Sequence, residues 1–321
     1  MERVTVRAFA KVNMRLEIKE KRPDGYHGIE TLFRGIFLYD TVVLSKAKDG
    51  VALSCEGPAA KDLPEDNRNL AWQAADMLRN AFPDRIGGIR IRLYKRIPLN
   101  AGLGGGSADA AAVLTGIDRL FALDLGMEVL TDFAAKLGSD VAFCLQPLAA
   151  VGCGRGEKLR PANPGPSLWI VLVKPTFGMS TKAVYDNWDY LRATQEMEPN
   201  GADASLALLL EGLRDNKPEH IWANMDNDLE KPAFLMEKRL STYKQWIEEE
   251  LARIDVRCGK VMLCGSGSTL AVYFPDEGSA RQLAERLRVA RRLGIGWDSG
   301  LPLILLAKTL DETDLNDRVY G

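Results

Sequence analysis

Four glycines fall within five residues, at 102, 104, 105 and 106, and no other stretch of the chain announces its chemistry so clearly. They lie inside Pro98-Leu99-Asn100-Ala101-Gly102-Leu103-Gly104-Gly105-Gly106-Ser107-Ala108, after the alternating segment Ile89–Leu93 and before the alanine-rich run Ser107–Phe121. Glycine has no Cβ, so successive backbone N–H groups can approach a ligand, and a helix start adds partial positive charge. Phosphate binding is the chemistry this suits, a triphosphate above all. A Walker A loop is excluded, because it needs Gly-Lys-Ser/Thr and no lysine lies between Pro98 and Ser107. The dinucleotide fingerprint is nearly met by Gly102-x-Gly104-x-x-Ser107, with Asp124 downstream, but no strand leads to Asp124. A flexible turn capped by Ser107 is the plain alternative.

Other candidates say less by themselves. Asp140, after Gly138-Ser139, reads as a helix cap, and Lys11, on an apolar strand, as a lysine reaching solvent. Tyr26-His27 offers a stacking face beside an imidazole, which suits a nucleobase, or simply a turn whose tyrosine packs inward. Gly265-Ser-Gly-Ser268 is a second glycine-rich turn, and His220 reads as solvent-facing. Five cysteines without a CxxC pair, and only two histidines, argue against a zinc cluster and give no support to a disulfide framework. Reduced thiols in a cytoplasmic protein are expected.

The elements that position these residues follow from periodicity. Val4, Val6, Ala8, Ala10 and Val12 alternate as in a strand, and Arg22-Pro-Asp-Gly25 has the chemistry of a turn. A further extended stretch spans 41–53, and Leu70–Ala81 has helical spacing. Helices are expected over 107–121, 127–137, 180–191, 205–214, 234–254 and 278–293, and strands over 168–173, 260–263, 269–274 and 301–306. Asn163-Pro-Gly-Pro166 punctuates the chain, so the boundary between two domains is drawn at 163/164. Lys plus Arg (42) nearly balances Asp plus Glu (44), which argues against an extended nucleic-acid face but leaves room for a local phosphate pocket. The N-terminus lacks the apolar core of a signal peptide, and no apolar run is long enough to span a membrane.

With these motifs in hand a resemblance appears. Pro98–Ala112 resembles the second motif of the GHMP kinases, the superfamily named for galacto-, homoserine, mevalonate and phosphomevalonate kinases. The triple glycine, Ala10-Lys-Val-Asn13, Arg22-Pro-Asp-Gly-Tyr-His27 with Glu30-Thr-Leu32, Gly138-Ser-Asp-Val141, Gly154-x-Gly-Glu157, Asn227-Asp-Leu-Glu230 and Cys264-Gly-Ser-Gly-Ser268 resemble the branch that acts on a cytidine-diphosphate-linked methylerythritol. The resemblance implies an α+β two-domain fold: a ribosomal-protein-like α/β domain over 1–163 for ATP and catalysis, and a ferredoxin-like domain over 164–321 closing on the substrate. It implies phosphoryl transfer from ATP, with Mg²⁺, to the 2-hydroxyl of that cytidyl diphosphate sugar alcohol, a step of non-mevalonate isoprenoid precursor synthesis. Asp140 would be the base and Lys11 would orient the hydroxyl. Residues 98–108 would hold ATP, with Asn69 and Lys95 as lesser candidates, and Asn13, Tyr26, His27, Thr181 and Tyr185 would hold the substrate, with no protein ligand evident for the metal. The protein would be a monomer or weak homodimer with no nucleic-acid or membrane partner. Alternatives are a sister kinase of the homoserine or mevalonate type, which would lack Pro-Asp-Gly-Tyr-His, and a nucleotide-binding regulator without catalysis. Three positions depart from the pattern: Ala108 where a second serine is usual, Asn100 where glycine is common, and Ala142 where proline is usual.

Overall fold

The computed structural model describes residues 2–196, 205–254, 256, 259–293 and 300–320. Its first half runs β1 (Arg3–Lys21), β2 (His27–Ala47), β3 (Gly50–Glu56), α1 (Leu70–Ala81), β4 (Gly88–Tyr94), α2 (Gly105–Phe121), α3 (Gly126–Leu137), α4 (Ser139–Leu145), β5 (Ala149–Cys153) and β6 (Lys158–Pro161). The second half runs β7 (Trp169–Lys174), α5 (Thr181–Ala193), α6 (Leu206–Arg214), α7 (Pro218–Asn224), β8 (Asp226–Asn227), α8 (Glu230–Met236), α9 (Arg239–Leu251) and β9 (Val261–Leu263). It ends with β10 (Leu270–Phe274), α10 (Glu277–Leu293), β11 (Leu303–Lys308), α11 (Glu312–Asn316) and β12 (Val319–Tyr320).

Two sheets organise these elements. The first follows the order β12-β1-β2-β4-β3, with β5 and β8 pairing onto β2 and β1, and β6 onto β5. The second is antiparallel, in the order β11-β7-β10-β9. Alternation on the second sheet serves two cores: Ile170, Leu172, Ala271 and Tyr273 join the first, and Val171, Val173, Val272 and Phe274 join a second with α9 and α10. The chain is therefore α+β. The 163/164 boundary falls in the loop between β6 and β7, while β12 returns to pair with β1 at Thr5 and Val6.

The expected turn at Arg22–Gly25 joins β1 to β2. Gly25 lies at φ 84°, its N–H donates to the Arg22 carbonyl at 3.0 Å, and Tyr26 and His27 follow directly. The register of β1 against β2 slips between Phe9 and Lys11 and again between Asn13 and Arg15, a way of re-aiming side chains beside a site. From Ala8 to Leu16 almost every residue of β1 is buried, because both faces are covered.

Some boundaries differ from the expectation. The stretch 41–53 is two strands, since Asp49-Gly50 turns the chain with Gly50 at φ 69°, and β3 then pairs with β4 rather than β2. The helix expected over 234–254 breaks at Glu237, whose carboxylate bonds back to Arg239, so α8 and α9 are separate. Neither glycine nor proline marks that break. Helix α2 starts two residues before Ser107, inside the glycine run.

Candidate active site

The glycine-rich loop is shaped by positive backbone angles, with Asn100 at φ 50°, Gly102 at 75° and Gly104 at 69°. Asparagine is among the few residues that tolerate this region, so a glycine-like position is kept without glycine. The requirement at Gly102 is steric as well. A Cβ there would stand 1.8 Å from the Cys264 carbonyl oxygen, so the loop lies directly against the turn 264–268. Ser268 and Thr269 donate their N–H groups to the carbonyls of Asn100 and Ala101, each at 3.4 Å.

Gly104 is the N-cap of α2 and offers no side-chain cap. The first N–H groups of the helix, from Gly105, Gly106 and Ser107, are thus donors without a capping partner, and Gly106 is exposed. Ala108 stands apart. It is fully buried, and its N–H donates to the Gly104 carbonyl at 2.9 Å, so a hydroxyl at this position would point into the core.

Beside this loop sits Lys11. Its N–H donates to the Leu103 carbonyl at 3.0 Å, and its stem crosses Gly104, where a Cβ would come within 2.9 Å of Cγ. Its Nζ lies 3.0 Å from Oδ2 of Asp140 and 2.8 Å from Oδ1 of Asn13, whose amide in turn donates to Thr31 Oγ1 at 2.8 Å. Asp140 belongs to the first turn of α4, where the helix field favours a negative charge. The Lys11 side chain is 5% exposed and that of Asp140 is 31% exposed, so the pair opens to solvent at the carboxylate.

Contacts lead from this pair to the other candidates. A Cβ on Gly265 would stand 3.6 Å from Asn13 Oδ1, and neighbouring Ser266 shares a 2.8 Å hydrogen bond with Thr181 at the start of α5. One turn along α5, Tyr185 stacks on the ring of His27, with centroids 5.6 Å apart and planes 20° apart. Burial pushes the Tyr185 phenol far up from its usual value, so it stays neutral. Tyr26 itself is 60% exposed, and the Arg155 guanidinium lies 5.0 Å from its ring centre. A chain of contacts therefore links Lys11, Asn13, Asp140, Thr181, Tyr185 and His27 beside the 98–107 loop.

Two lesser candidates have other duties. Asn69 caps α1, accepting from the Ala71 N–H at 2.9 Å. Lys95 is sealed inside, its Nζ held by Asp40 Oδ2 and by Asp109 Oδ2 at 2.6 Å. Burial works against the Lys95 charge, but the two carboxylates outweigh it and hold its pKa above the usual value. Burial drives the Asp109 carboxyl well above its range, against the pull of Lys95. Asp40 also accepts the N–H groups of Arg96 and Ile97, so the cluster ties the end of β4 to the first turns of α2 and braces both ends of the loop.

Sequence reasoning missed Asp40, Trp188 and Asp189, and it noticed Thr31 only inside the motif Glu30-Thr-Leu32. Trp188 stands edge-on to the His27 ring at 5.1 Å, and Oδ1 of Asp189 lies 2.7 Å from its Nε2. Asp40 had one faint signal, being an aspartate inside a strand, where that residue is depleted unless it has a partner. Asn227 was noticed only as part of a motif. Its amide donates to the carbonyls of Leu263 and Gly265, both at 2.8 Å, and fixes the second glycine turn.

The family description "GHMP kinases N terminal domain" matches residues 69–146, the stretch that carries both the glycine loop and Asp140, and points to the GHMP class of small-molecule kinases. A 4-diphosphocytidyl-2-C-methyl-D-erythritol kinase of Moorella thermoacetica is 39% identical over 290 residues, 90% of this chain and 96% of the relative. A crystal structure of 4-(cytidine 5'-diphospho)-2C-methyl-D-erythritol kinase superposes with a TM-score of 0.73 at 30% identity, covering 96% of this chain and 99% of that one. L. major mevalonate kinase reaches the same TM-score of 0.73 at only 13% identity, over 96% of each chain, which speaks for the fold alone. The chain belongs to the 4-diphosphocytidyl-2-C-methyl-D-erythritol kinase family.

Proposed function

We propose that this protein transfers the γ-phosphoryl group of ATP to the 2-hydroxyl of 4-diphosphocytidyl-2-C-methyl-D-erythritol, a step toward isoprenoid precursors. The observation that carries the reading is the Lys11–Asp140 pair, 3.0 Å apart, tied to the glycine loop through the Lys11 N–H and the Leu103 carbonyl. In this reading residues 98–107 cradle the triphosphate through the uncapped amides of α2, and Ala108 contributes by packing. Asp140 takes the proton from the 2-hydroxyl, and its oxygen attacks the γ-phosphorus. The bond from that phosphorus to the β-phosphate oxygen breaks, and ADP leaves. Lys11 orients the hydroxyl and offsets the negative charge that grows on the transferred group.

Asn13 and Thr181 support the sugar alcohol, and Tyr26, His27 and Tyr185 support the cytidine. The segment 1–163 then supplies ATP binding and catalysis, and 164–321 closes over the substrate. Mg²⁺ is the natural counterion of a triphosphate, yet among the described residues no group of three or more His, Cys, Asp or Glu could cage it. Its ligands in this reading are phosphate and water, and no step is assigned to it.

The test is an ADP-release assay offering the cytidyl substrate beside homoserine and mevalonate. Turnover confined to the cytidyl substrate is expected. Equal or greater turnover of homoserine or mevalonate would assign the protein to a sister activity, and binding of ATP without turnover of any would make it a regulator.

A further inference from the structure

Helix α4 is seven residues long, and Asp140 sits in its first turn. So short a helix does not hold itself together in water, and its direction is set by what grips its ends. At the far end the Phe143 carbonyl accepts from the Gln146 N–H at 3.1 Å. The next two carbonyls accept from Arg318: its Nη2 donates to Cys144 at 2.5 Å and its Nη1 to Leu145. Carbonyls at a helix end carry partial negative charge, so a cation suits them.

Arg318 lies between α11 and β12 and is 6% exposed. Its other groups turn to β1. Nε donates to the Arg7 carbonyl at 3.3 Å, and the Arg318 carbonyl accepts from the Arg7 N–H at 2.9 Å. Val319 and Tyr320 continue the contact by pairing with Val6 and Thr5. One guanidinium therefore joins the strand that carries Lys11 to the helix that carries Asp140.

The arrangement is costly. Burial strips the guanidinium of water and pushes its pKa down to about 10, and three carbonyls rather than a carboxylate hold its charge. An apolar side chain would serve simple packing as well. The planar fork of arginine, in contrast, meets two successive carbonyls at once, which a lysine cannot do. Asp140 and Cys144 are four residues apart and share one face of α4, so the grip acts about 6 Å along the helix from the carboxylate.

We propose that Arg318 is a positioning residue of the phosphoryl transfer: it locks α4 to β1 and so holds the Asp140 carboxylate in register with Lys11. It acts through the helix, from the end remote from the reacting atoms. The inference rests on the proposed role of Asp140 and adds to it the group that sets where that carboxylate stands.

The experiment is steady-state kinetics with ATP and the cytidyl substrate on the wild type, Arg318→Met and Arg318→Lys, each repeated in an Asp140→Asn background. Amide hydrogen exchange over 139–145 is followed in the same proteins. Arg318→Met is expected to lower kcat by about 10- to 100-fold with the KM for ATP within about twofold, because a small displacement of a reacting group costs that much. Exchange over 139–145 is expected to quicken. Arg318→Lys keeps the charge without the fork and is expected to recover part of kcat. In the Asp140→Asn background Arg318→Met is expected to cost less than about threefold more, since the group it positions is gone. An equal loss with and without the Asp140 carboxylate would make Arg318 a support of the fold alone and overturns the inference, as does wild-type kcat in a folded Arg318→Met. If Arg318→Met does not fold, Arg318→Lys decides: a lower kcat at unchanged KM for ATP supports the inference, and an undiminished kcat overturns it. A wild-type protein that turns over no cytidyl substrate fails the proposed function instead. The exchange arm still reads the clamp in that case, and unchanged exchange over 139–145 in Arg318→Met rules it out.

Discussion

Two lysines of this protein are each held by aspartate, and the difference between them separates architecture from chemistry. Lys95 is 1% exposed, with Asp40 and Asp109 both essentially sealed around it. Lys11 is nearly as buried, but its partner Asp140 is about one-third exposed and is the single carboxylate that it meets among the described residues. Both lysines touch the glycine loop: Lys95 from beneath, 3.4 Å from where a Gly105 Cβ would stand, and Lys11 across Gly104. The sealed cluster sets the loop's position, and the open pair is the one that meets the substrate in the proposed function.

That contrast is broken or sharpened by substitution. The largest stability change is expected for Lys95→Met, which strands two buried carboxylates and should cost about 3–5 kcal/mol in urea denaturation. A loss under about 1 kcal/mol would mean that the cluster does not brace the loop. Gly102→Ala is expected next. Its Cβ cannot share space with the Cys264 carbonyl, so the two glycine turns must part, and kcat/KM for ATP should fall by roughly 10²-fold. Unchanged kinetics there would show that contact between the turns is dispensable. The smallest effect is expected for Asn100→Gly, where relief of the positive φ offsets added freedom of the unfolded chain, leaving stability within about 0.5 kcal/mol. Asn100→Val should instead cost about 1–2 kcal/mol by thermal denaturation, since a branched residue resists that backbone region.

Much of this was legible in the sequence, for reasons that can be located. The loop, the hairpin turn at Arg22–Gly25 and the helix over 70–81 declare themselves through glycine, proline and apolar spacing, which act locally. Lys11 and Asp140 did not: 129 positions apart, each had a bland local reading, and only the chain's likeness to known kinases joined them. The partnership of Asp40, Asp109 and Lys95 stayed hidden for a related reason, because a buried charge is recognised by its partners, and those come from β2, the end of β4 and α2. Asp189 was overlooked because its role depends on α5 lying over the hairpin turn. The break at Glu237 carries no glycine or proline and could not be read from spacing. Asn100 and Ala108 looked like departures until the backbone angle of one and the burial of the other showed why they fit.

The most direct test is turnover by Asp140→Asn on the cytidyl substrate, with ATP binding measured on the same sample. The pair is partly exposed, so folding should change by less than about 1 kcal/mol, and the nucleotide should bind as before. The account predicts a kcat lower by roughly 10²–10⁴-fold. Wild-type turnover in that variant would contradict it, because a carboxylate that can be neutralised without loss is not the group that receives the proton.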